Sequence, residues 1–488
     1  MAELVSITDP ERALLVSLGR WTDGSGPLYQ RLASALRDAV GRDIPPGAAL
    51  PAERRLAGLL AVSRTTVVAA YRILQREGRL ESRQGSGTRV AAPARLGRPA
   101  RPFPVGNGTT FRSLIDRDDS AIDFAAAGLG ADGIVTPELL ARASAELASL
   151  AGSVGYMPHG LPALRHAIAR HLSESGLPTD EQHILVTNGA QQAITLLAHL
   201  LAGRGASVVV ENPTYAGALD AFAAAGARLV GIPVQDAAGS ARQLRQLLRS
   251  ERPRLLYLMP TFQNPTGAVS TTERRQQLAA LAAEQQVLLA EDNTLAPLAV
   301  GAAPPPPIAA FDTHGNVVTI GSLSKSVWAG LRVGWIRAHP RLIGRLVMVK
   351  TAEDLGSSLP SQALAHAVLD DFARISAIRT AQLRDCLELA ASLLRERLPE
   401  WQFTRPSGGQ SLWLRLPGGD ADSFAQAALR RGVTVVPGSQ LSPDGSFRDH
   451  IRLQFLQSHQ LIGEGIDRLA RAWDDYAATG SRNLGVVV

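Results

Sequence analysis

The sequence predicts two domains: a small helical module with a two-stranded wing, then a large α/β domain built on a parallel sheet. The chain has 488 residues, which is too long for one ordinary core. The segment Ala91–Asn107 is rich in Pro, Arg and small residues, as is typical of an extended linker. After it, short apolar runs alternate with amphipathic helical stretches. We therefore expect a first domain at 1–92 with its core at 27–92, a linker at 93–118 and a second domain at 119–488.

Bulk composition favours a soluble globular protein, with 45% hydrophobic residues, 19% charged residues and a mean hydropathy of +0.03. There is no run of about 18 apolar residues, so we expect no membrane span. The first ten residues carry acids and lack the apolar segment of a signal peptide. The single cysteine, Cys386, excludes an internal disulfide and is typical of a reducing cytoplasm, where we expect the protein. No cluster of metal ligands is predicted.

Positive charge is concentrated in the first domain. Between Pro27 and Ala92 there are eleven Arg against five Asp or Glu, and this excess of six equals the formal charge of the whole chain. A basic module on a neutral body indicates an acidic partner for that module, such as nucleic acid. A solvated Arg-rich surface would carry the same charge.

The first domain has the pattern of three helices and a wing. Apolar residues at helical spacing predict helices over Pro27–Val40, Pro51–Leu60 and Arg64–Glu77. Ser63 stands where the N-cap of the third helix belongs, so the residues after it form an exposed first turn. The stretch Arg79–Val90 predicts two short strands with glycines at their tip.

This stretch closely resembles the winged helix-turn-helix of GntR-type regulators, in which LPAERRLA…VSRTTVVAAYRILQREGRLESRQGSGT matches nearly throughout. First-turn side chains of such a helix lie against base edges and phosphates. One departure is Ala61, where the family often has Gly; a positive φ there would strain Ala slightly. The alternative is a three-helix packing module whose polar turn is merely solvated. The resemblance implies DNA contacts from Arg54, Ser63, Arg64, Thr65, Thr66, Gln84 and Gly85.

The second domain contains five β-rich runs that each end in a polar or Gly/Pro turn, with helical patterns between them. In parallel sheets, ligands bind at the carboxyl ends of the strands, so the residues after each run are candidate site residues. The predicted strands are His183–Thr187, Ser207–Glu211, Leu255–Met259, Val287–Ala290 and Val317–Ile320.

One of only two lysines, Lys325, follows the last of these strands in Gly321–Trp335 (GSLSKSVWAGLRVGW). Schiff-base chemistry requires a lysine amine, and a phosphate nearby requires hydroxyl donors and a cation, which Ser322, Ser324 and Arg332 supply. A lysine in such a loop could also be an ordinary solvated residue. The segment resembles the lysine motif of fold-type I aminotransferases, which bind pyridoxal 5′-phosphate (PLP). The other lysine, Lys350, lacks this setting and is predicted to be structural or exposed.

The same resemblance implies the rest of a PLP site. Asp292 would pair with the pyridine nitrogen and Asn264 with the phenolic oxygen of the ring. Arg452 would bind the carboxylate of an effector through its fork of donors, although a lone strand arginine is more often a salt-bridge partner. Further cofactor contacts are implied for a helix N-terminus, a stacking tyrosine and a tyrosine from the neighbouring subunit, namely Gly189, Ala190, Gln191, Tyr215 and Tyr156.

One position departs from the aminotransferase pattern. The family usually has a tyrosine two or three residues after the pyridine-nitrogen aspartate, whereas Asp292 is followed by Asn293, Thr294 and Leu295. Thr294 could replace the missing hydroxyl at shorter reach, and Leu295 cannot. PLP binding should survive this change, but we expect the electronic tuning that serves fast transamination to be weakened.

The two resemblances together match the MocR subfamily of GntR regulators. This implies a homodimer that binds an operator in double-stranded DNA, holds PLP at the subunit interface and senses an amino compound. A rival hypothesis is a working aminotransferase with an accessory DNA-binding module, and a residual transaminase half-reaction is compatible with either. A regulator that has lost PLP is the third alternative, which the intact context of Lys325 disfavours.

Overall fold

A computed structural model describes residues 9–19, 21–22, 26–45, 47–77, 79–83, 87–90, 121–126, 130–234 and 240–483. The chain divides into two compact units, Met1–Pro102 and Phe103–Val488. The predicted linker at 93–118 lies outside the described residues.

The first unit combines helices with a small antiparallel sheet in the strand order β1-β3-β2. Its strands are β1 (Ala49–Leu50), β2 (Leu80–Arg83) and β3 (Gly87–Val90). Its described helices are α1 (Asp9–Leu18), α2 (Leu28–Arg42), α3 (Glu53–Leu59) and α4 (Arg64–Arg76).

The three predicted helices and the two-stranded wing of the first unit are confirmed, while α1 and β1 were not predicted. Leu32, Leu36, Leu56 and Val67 are fully buried, because apolar residues three or four apart lie on one face of each helix. Leu14 and Leu18 of α1 join the same cluster, so the core reaches back beyond residue 27. Gly87 pairs with Arg83 and begins β3, at the end of the wing next to the connection between its strands.

The second unit is built on a seven-stranded sheet with the order β5-β11-β10-β9-β8-β6-β7. Helices pack on both of its faces, against two separate apolar clusters. The strands are β5 (Ile184–Thr187), β6 (Ser207–Asn212), β7 (Arg228–Pro233), β8 (Leu255–Leu258), β9 (Leu288–Asp292), β10 (Val317–Ser322) and β11 (Gly334–Arg337).

The five predicted strands are confirmed within one or two residues, but the sheet is mixed rather than wholly parallel. Strand β11 runs antiparallel to both of its neighbours, β5 and β10. Only eleven residues (323–333) separate β10 from β11, which is too few for the crossover that a parallel return requires. These eleven residues include Lys325, so the predicted lysine lies in a tight connection at the edge where β9 and β10 end.

The remaining elements surround this sheet and form a smaller second layer. Strands β12 (Ser411–Arg415), β14 (Val436–Pro437) and β15 (His450–Gln454) form a three-stranded sheet, and β4 (Ile122–Asp123) pairs with β13 (Val433–Thr434). The helices are α5 (Pro137–Leu150), α6 (Pro162–Glu174), α7 (Ala190–Leu201), α8 (Ala216–Ala224), α9 (Ser240–Glu251), α10 (Thr272–Glu284), α11 (Pro340–Asp354), α12 (Leu359–Asp370), α13 (Phe372–Arg397), α14 (Ala421–Arg430) and α15 (His459–Asn483).

Within the described residues, no single helix is long and apolar enough to cross a membrane. The helices Glu53–Leu59 and Arg64–Gln75 together have the length and composition of a membrane span, but the two are bent by 119° relative to each other. The described residues also contain no group of three or more His, Cys, Asp or Glu that could hold a metal ion.

Candidate functional sites

Lys325 lies in the short connection that follows β10, three residues after Ser322. Its side chain is partly buried, and the guanidinium groups of Arg452 and Arg332 are close enough to influence it. Burial and these two positive charges lower the pKa of Lys325 to about 8. A substantial fraction of the amine is therefore neutral, and so nucleophilic, near physiological pH.

Two serines and one arginine adjoin this lysine. The amide of Ser324 donates to Oγ of Ser322 at 3.1 Å, and the two hydroxyl oxygens are 3.0 Å apart. Arg332 ends a short 3₁₀ turn in the left-handed region, with φ of +54°. Its Nη2 donates to the carbonyl oxygen of Asn188 at 2.9 Å, immediately before α7. The structure therefore places Arg332 beside the N-terminus of that helix.

The N-terminus of α7 forms a cradle of backbone N–H groups. Gly189 is its N-cap residue with φ of +82°, which favours glycine, and an added Cβ would lie 3.4 Å from Nη2 of Arg332. The amides of Ala190 and Gln191 belong to the first turn and have no carbonyl partner within the helix. Unpaired N–H groups and the positive end of the helix dipole suit a phosphate, and Arg332 adds a cation to them.

Tyr215 precedes α8 and faces the same cradle. Its hydroxyl donates to Oε1 of Gln191 at 3.0 Å. Burial and the charge of Asp292 raise the pKa of Tyr215 to about 12, so the phenol stays neutral. The phenol is thereby fixed to the first turn of α7, within the electrostatic influence of Asp292.

Asp292 ends β9 with 2% of its surface exposed, and both of its carboxylate oxygens accept hydrogen bonds. The amide of Thr294 donates to Oδ1 at 3.0 Å, and the hydroxyl of Tyr257 donates to Oδ2 at 2.7 Å. Burial raises the pKa of Asp292, and the hydrogen bonds from Thr294 and Tyr257 oppose that rise. A cationic ring nitrogen placed against this buried carboxylate would favour its charged form.

Tyr257 is a site residue that the sequence did not indicate. It lies in the apolar run LLYL of β8, where a tyrosine is most often a core residue. Tyr257 is opposite Ala290 of the neighbouring strand β9, two residues before Asp292. Knowledge of that pairing register would have identified it; the sequence of β8 alone would not.

Arg452 and Asn264 are brought together on the side of the three-stranded sheet. Only 2% of the surface of Arg452 is exposed. Its Nη1 donates to Oδ1 of Asn264 at 3.2 Å, and its Nη2 donates to the carbonyl oxygen of Ala125 at 2.6 Å. Burial lowers the pKa of Arg452 to about 10, so it remains a cation at neutral pH. Its Nε is buried without a hydrogen-bond partner among the described residues. A buried, under-used guanidinium suits a carboxylate ligand.

Tyr156 stands apart from this cluster. It lies before α6 with 69% of its surface exposed on the single chain. Its contact with the phosphate of a neighbouring subunit stays a prediction. The remaining predicted cofactor residues form one continuous region around Lys325: Ser322, Ser324, Arg332, Gly189, Ala190, Gln191, Tyr215, Asn264, Asp292 and Arg452.

The residues of this region fit PLP by the chemistry of their donors and acceptors. They supply an amine of lowered pKa, a buried carboxylate, hydroxyl groups, a guanidinium and the unpaired amides of a helix N-terminus. These are the groups that an aldehyde, a basic ring nitrogen and a phosphate require. Lys350, by contrast, is fully buried and bonded to Asp354, so of the two predicted alternatives the exposed one is wrong.

In the first unit, the recognition helix α4 begins as predicted. Oγ of Ser63 accepts a hydrogen bond from the amide of Thr66 at 3.1 Å, which confirms the N-cap. Ala61 has φ of +52°, so the predicted strain in the turn is present. Arg64 is 61% exposed and forms an ion pair with Glu53 at 3.2 Å.

The exposed first turn of α4 opens onto a shallow cavity of about 540 Å³. The lining of this cavity includes the cationic side chains of Arg64 and Arg72 and the hydroxyl groups of Thr65 and Tyr29. Arg54 is exposed on α3, one helix before. Gln84 and Gly85 lie outside the described residues, so the predicted wing contacts have no structural counterpart here.

Comparison with known proteins assigns both units. Residues 28–90 match the family described as "Bacterial regulatory proteins, gntR family", and residues 128–469 match "Aminotransferase class I and II". The uncharacterized HTH-type transcriptional regulator YisV of Bacillus subtilis is 31% identical over 463 residues, which cover 90% of this chain and 93% of that protein. The probable rhizopine catabolism regulatory protein MocR of Rhizobium meliloti is 28% identical and covers 86% and 88%.

The chain belongs to the MocR subfamily of GntR-type regulators. Its second unit is similar to a solved aminotransferase structure, that of LysN from Thermus thermophilus, in complex with N-(5′-phosphopyridoxyl)-L-leucine. That likeness has a TM-score of 0.69 and 30% identity, and it covers 76% of this chain and 95% of the other. This MocR-type regulator is therefore a helix-turn-helix domain joined to a fold-type I aminotransferase domain, as predicted.

Proposed function

We propose that this MocR-type regulator binds PLP covalently at Lys325 and uses it to sense an amino compound that carries a carboxylate. The observation that supports this best is the position of Lys325, whose amine has a pKa of about 8 and is influenced by Arg332 and Arg452. Arg332 adjoins the N-terminus of α7, and Arg452 is buried.

When bound, PLP supplies an aldehyde that condenses with amines and a ring that withdraws electrons. The chain's own residues do the rest. Lys325 would offer its neutral amine, and Asp292 would stabilise positive charge at the ring nitrogen. Ser322, Ser324 and Arg332 would hold the phosphate, together with the first amides of α7. Asn264 would donate to the phenolic oxygen, and Tyr215 would pack against the ring.

Arg452 would confer the preference for a carboxylate in the effector. Its Nε has no hydrogen-bond partner among the described residues, so the guanidinium keeps donor capacity for a carboxylate oxygen. Fork-to-carboxylate pairing is both strong and geometrically selective. The effector amine would compete with Lys325 for the same aldehyde carbon, so binding changes the contacts around both residues.

Sensing, and not sustained turnover, is favoured by the residues after Asp292. Leu295 is 3% exposed and packs in the apolar core, so it offers no hydroxyl to the ring. The amide of Thr294 is used on Asp292. Loss of the tyrosine at this point removes one hydrogen bond to the ring oxygen, which should slow proton transfer more than it slows binding.

The output of sensing would be DNA binding by the first unit. The residues that would contact the operator are Arg54, Ser63, Arg64, Thr65, Thr66, Gln84 and Gly85. A homodimer would present two such units, and exposed Tyr156 would reach the phosphate held by a second copy. Binding of the effector would bias the dimer between conformations that hold these DNA-binding units differently.

The test combines cofactor chemistry with DNA binding. Borohydride reduction of the purified protein should label Lys325 with the cofactor, as peptide mapping would show; a label on Lys350 contradicts the assignment. Amino acids should change the visible spectrum without repeated turnover against keto acids. Lys325→Ala should keep operator binding and lose the response to the effector.

Two results would replace the proposal. Rapid multiple turnover by the wild type would make the protein an aminotransferase with an attached DNA-binding domain, which the likeness to LysN makes the rival to test. A normal effector response in Lys325→Ala would locate sensing outside the PLP site.

A further inference from the structure

The second lysine of the chain, Lys350, is fully buried near the C-terminal end of α11. Its Nζ donates to both carboxylate oxygens of Asp354, at 2.8 Å and 2.8 Å. The two residues are four apart, which places them on the same side of the helix. An ammonium with no exposure to water requires such a partner, because desolvation of an unpaired charge is costly.

Asp354 receives more hydrogen bonds than this ion pair requires. Nδ2 of Asn188 donates to Oδ2 at 3.0 Å, Nε2 of Gln192 donates to the same oxygen at 2.8 Å, and the amide of Gly356 donates to Oδ1 at 2.9 Å. Burial alone would raise the pKa of Asp354, but the bonds from Gln192, Lys350 and Gly356 lower it below its ordinary value. Asp354 is therefore a charged acceptor that ties α11 to another part of the chain.

That other part is the phosphate cradle. Asn188 and Gln192 lie on either side of Gly189, Ala190 and Gln191, which form the first turn of α7. Oε1 of Gln192 accepts a bond from the amide of Asn188 at 2.8 Å, so these two residues of the turn are also joined to each other.

The same connection reaches the cationic side of the cradle. The carbonyl oxygen of Asn188 accepts the 2.9 Å bond from Arg332. Lys350, Asp354, Asn188 and Arg332 therefore form one continuous series of polar contacts. The backbone amides and the guanidinium that would hold a phosphate are both oriented by residues bound to Asp354.

We propose that Lys350 is a positioning residue for the cofactor phosphate, acting through Asp354. It neutralises a carboxylate that lies one side chain away from the cradle and would otherwise repel an anionic phosphate. It also keeps Asn188 and Gln192 in the orientation that aims the first turn of α7. This inference rests on the proposed binding of PLP at Lys325. It gives Lys350, the other lysine of the chain, a positioning role in the same site.

The test uses full-length apoprotein and PLP. Lys350→Met keeps the length and the buried apolar stem of the side chain. It leaves Asp354 charged and without its cationic partner. We expect its Kd for PLP to rise about tenfold or more, because one partner of a buried pair is lost. The ³¹P resonance of bound PLP should also shift, since the phosphate environment changes.

The double variant Lys350→Met/Asp354→Asn distinguishes positioning from a loss of packing. Asparagine removes the repelling charge and can still accept from Gln192 or Asn188 through its carbonyl oxygen, so most of the lost affinity should return. Arg345→Met, an exposed cation on the same helix, is the control and should leave Kd and the ³¹P shift unchanged.

Unchanged PLP affinity and ³¹P shift in Lys350→Met, with the wild type binding PLP normally, would overturn the inference and leave the proposed function intact. Equal losses in the single and double variants would also overturn it, since the effect would then be structural. Failure of the wild type itself to bind PLP would contradict the proposed function. If Lys350→Met does not fold, the double variant decides, because it leaves no buried charge without a partner: a Kd for PLP near the wild-type value supports the inference, and a roughly tenfold rise with a shifted ³¹P resonance overturns it.

Discussion

The hydroxyl of Tyr257 donates a 2.7 Å hydrogen bond to Oδ2 of Asp292, across two adjacent strands of the central sheet. Burial and the charge of Asp292 together hold the pKa of Tyr257 well above its ordinary value, so the phenol is a permanent donor. This bond stabilises the charged carboxylate of a residue that has only 2% of its surface exposed. It also sets which face of Asp292 remains available to a ring nitrogen.

Tyr257→Phe should weaken PLP binding by about 1 kcal/mol, or roughly fivefold in Kd, because Oδ2 loses its donor while the shape of the side chain is kept. The pKa of Asp292 should rise further, so the loss should grow as the pH falls. Titration of apoprotein with PLP at pH 6.5 and 8 measures both effects. Equal affinity of variant and wild type at both pH values would show that the bond does not support cofactor binding.

The lowered pKa of Lys325 predicts how fast PLP attaches at different pH values. Only the neutral amine attacks an aldehyde, so the rate should rise with pH, reach half of its maximum near pH 8 and level off above that. An ordinary lysine, with a pKa of 10.5, would show no plateau in this range. Stopped-flow absorbance of apoprotein with PLP measures the profile, and Nα-acetyl-lysine serves as the free-amine control. A rate that still climbs tenfold between pH 8.5 and 9.5 would contradict the environment described for Lys325.

Arg64 is expected to read the operator in competition with Glu53, its partner in the unbound chain. Arg64→Ala should weaken specific DNA binding by about 1–3 kcal/mol if the guanidinium contacts a base. Binding to unrelated DNA should change much less and should stay steeply salt-dependent, because phosphate contacts carry no sequence information. Fluorescence anisotropy with operator and scrambled duplexes separates the two terms. A uniform loss on both duplexes would make Arg64 a phosphate contact.

Ser63→Ala is the companion variant, since it removes the N-cap bond to Thr66 without changing charge. The first unit should lose about 1 kcal/mol of unfolding free energy. DNA affinity should fall through the disordered first turn of α4, and calorimetry of the variant should show the lower stability directly.

Arg452 should determine whether a carboxylate is required in the effector. Arg452→Gln should lose about 1.5–3 kcal/mol of binding for amino acids, the range for a hydrogen bond to a charged group. Amines without a carboxylate should bind variant and wild type alike. Visible spectra recorded with an amino acid and with its decarboxylated amine test this directly. If the variant still prefers the amino acid, the carboxylate binds elsewhere.

Local sequence chemistry was sufficient to predict several elements. Ser63 marks the start of the recognition helix because its side chain can cap an amide three residues away, and Ala61 falls in the turn whose strain was expected. Lys325 was identified by neighbours within ten residues, at the end of β10 and in the connection that follows it. These features depend on contacts between residues close in sequence, so the sequence by itself determined them.

Other features depend on contacts between distant residues, and only the tertiary structure decided them. Strand β11 turns back antiparallel because its connection is short and β5 is there to pair with it. Tyr257 meets Asp292 only through the register of β8 on β9, 35 residues apart. Asp354 meets Asn188 across 166 residues, a contact that the local i,i+4 spacing of Lys350 and Asp354 does not reveal. Such contacts are set by how whole elements pack, and no local pattern encodes which distant partner a buried polar group will find.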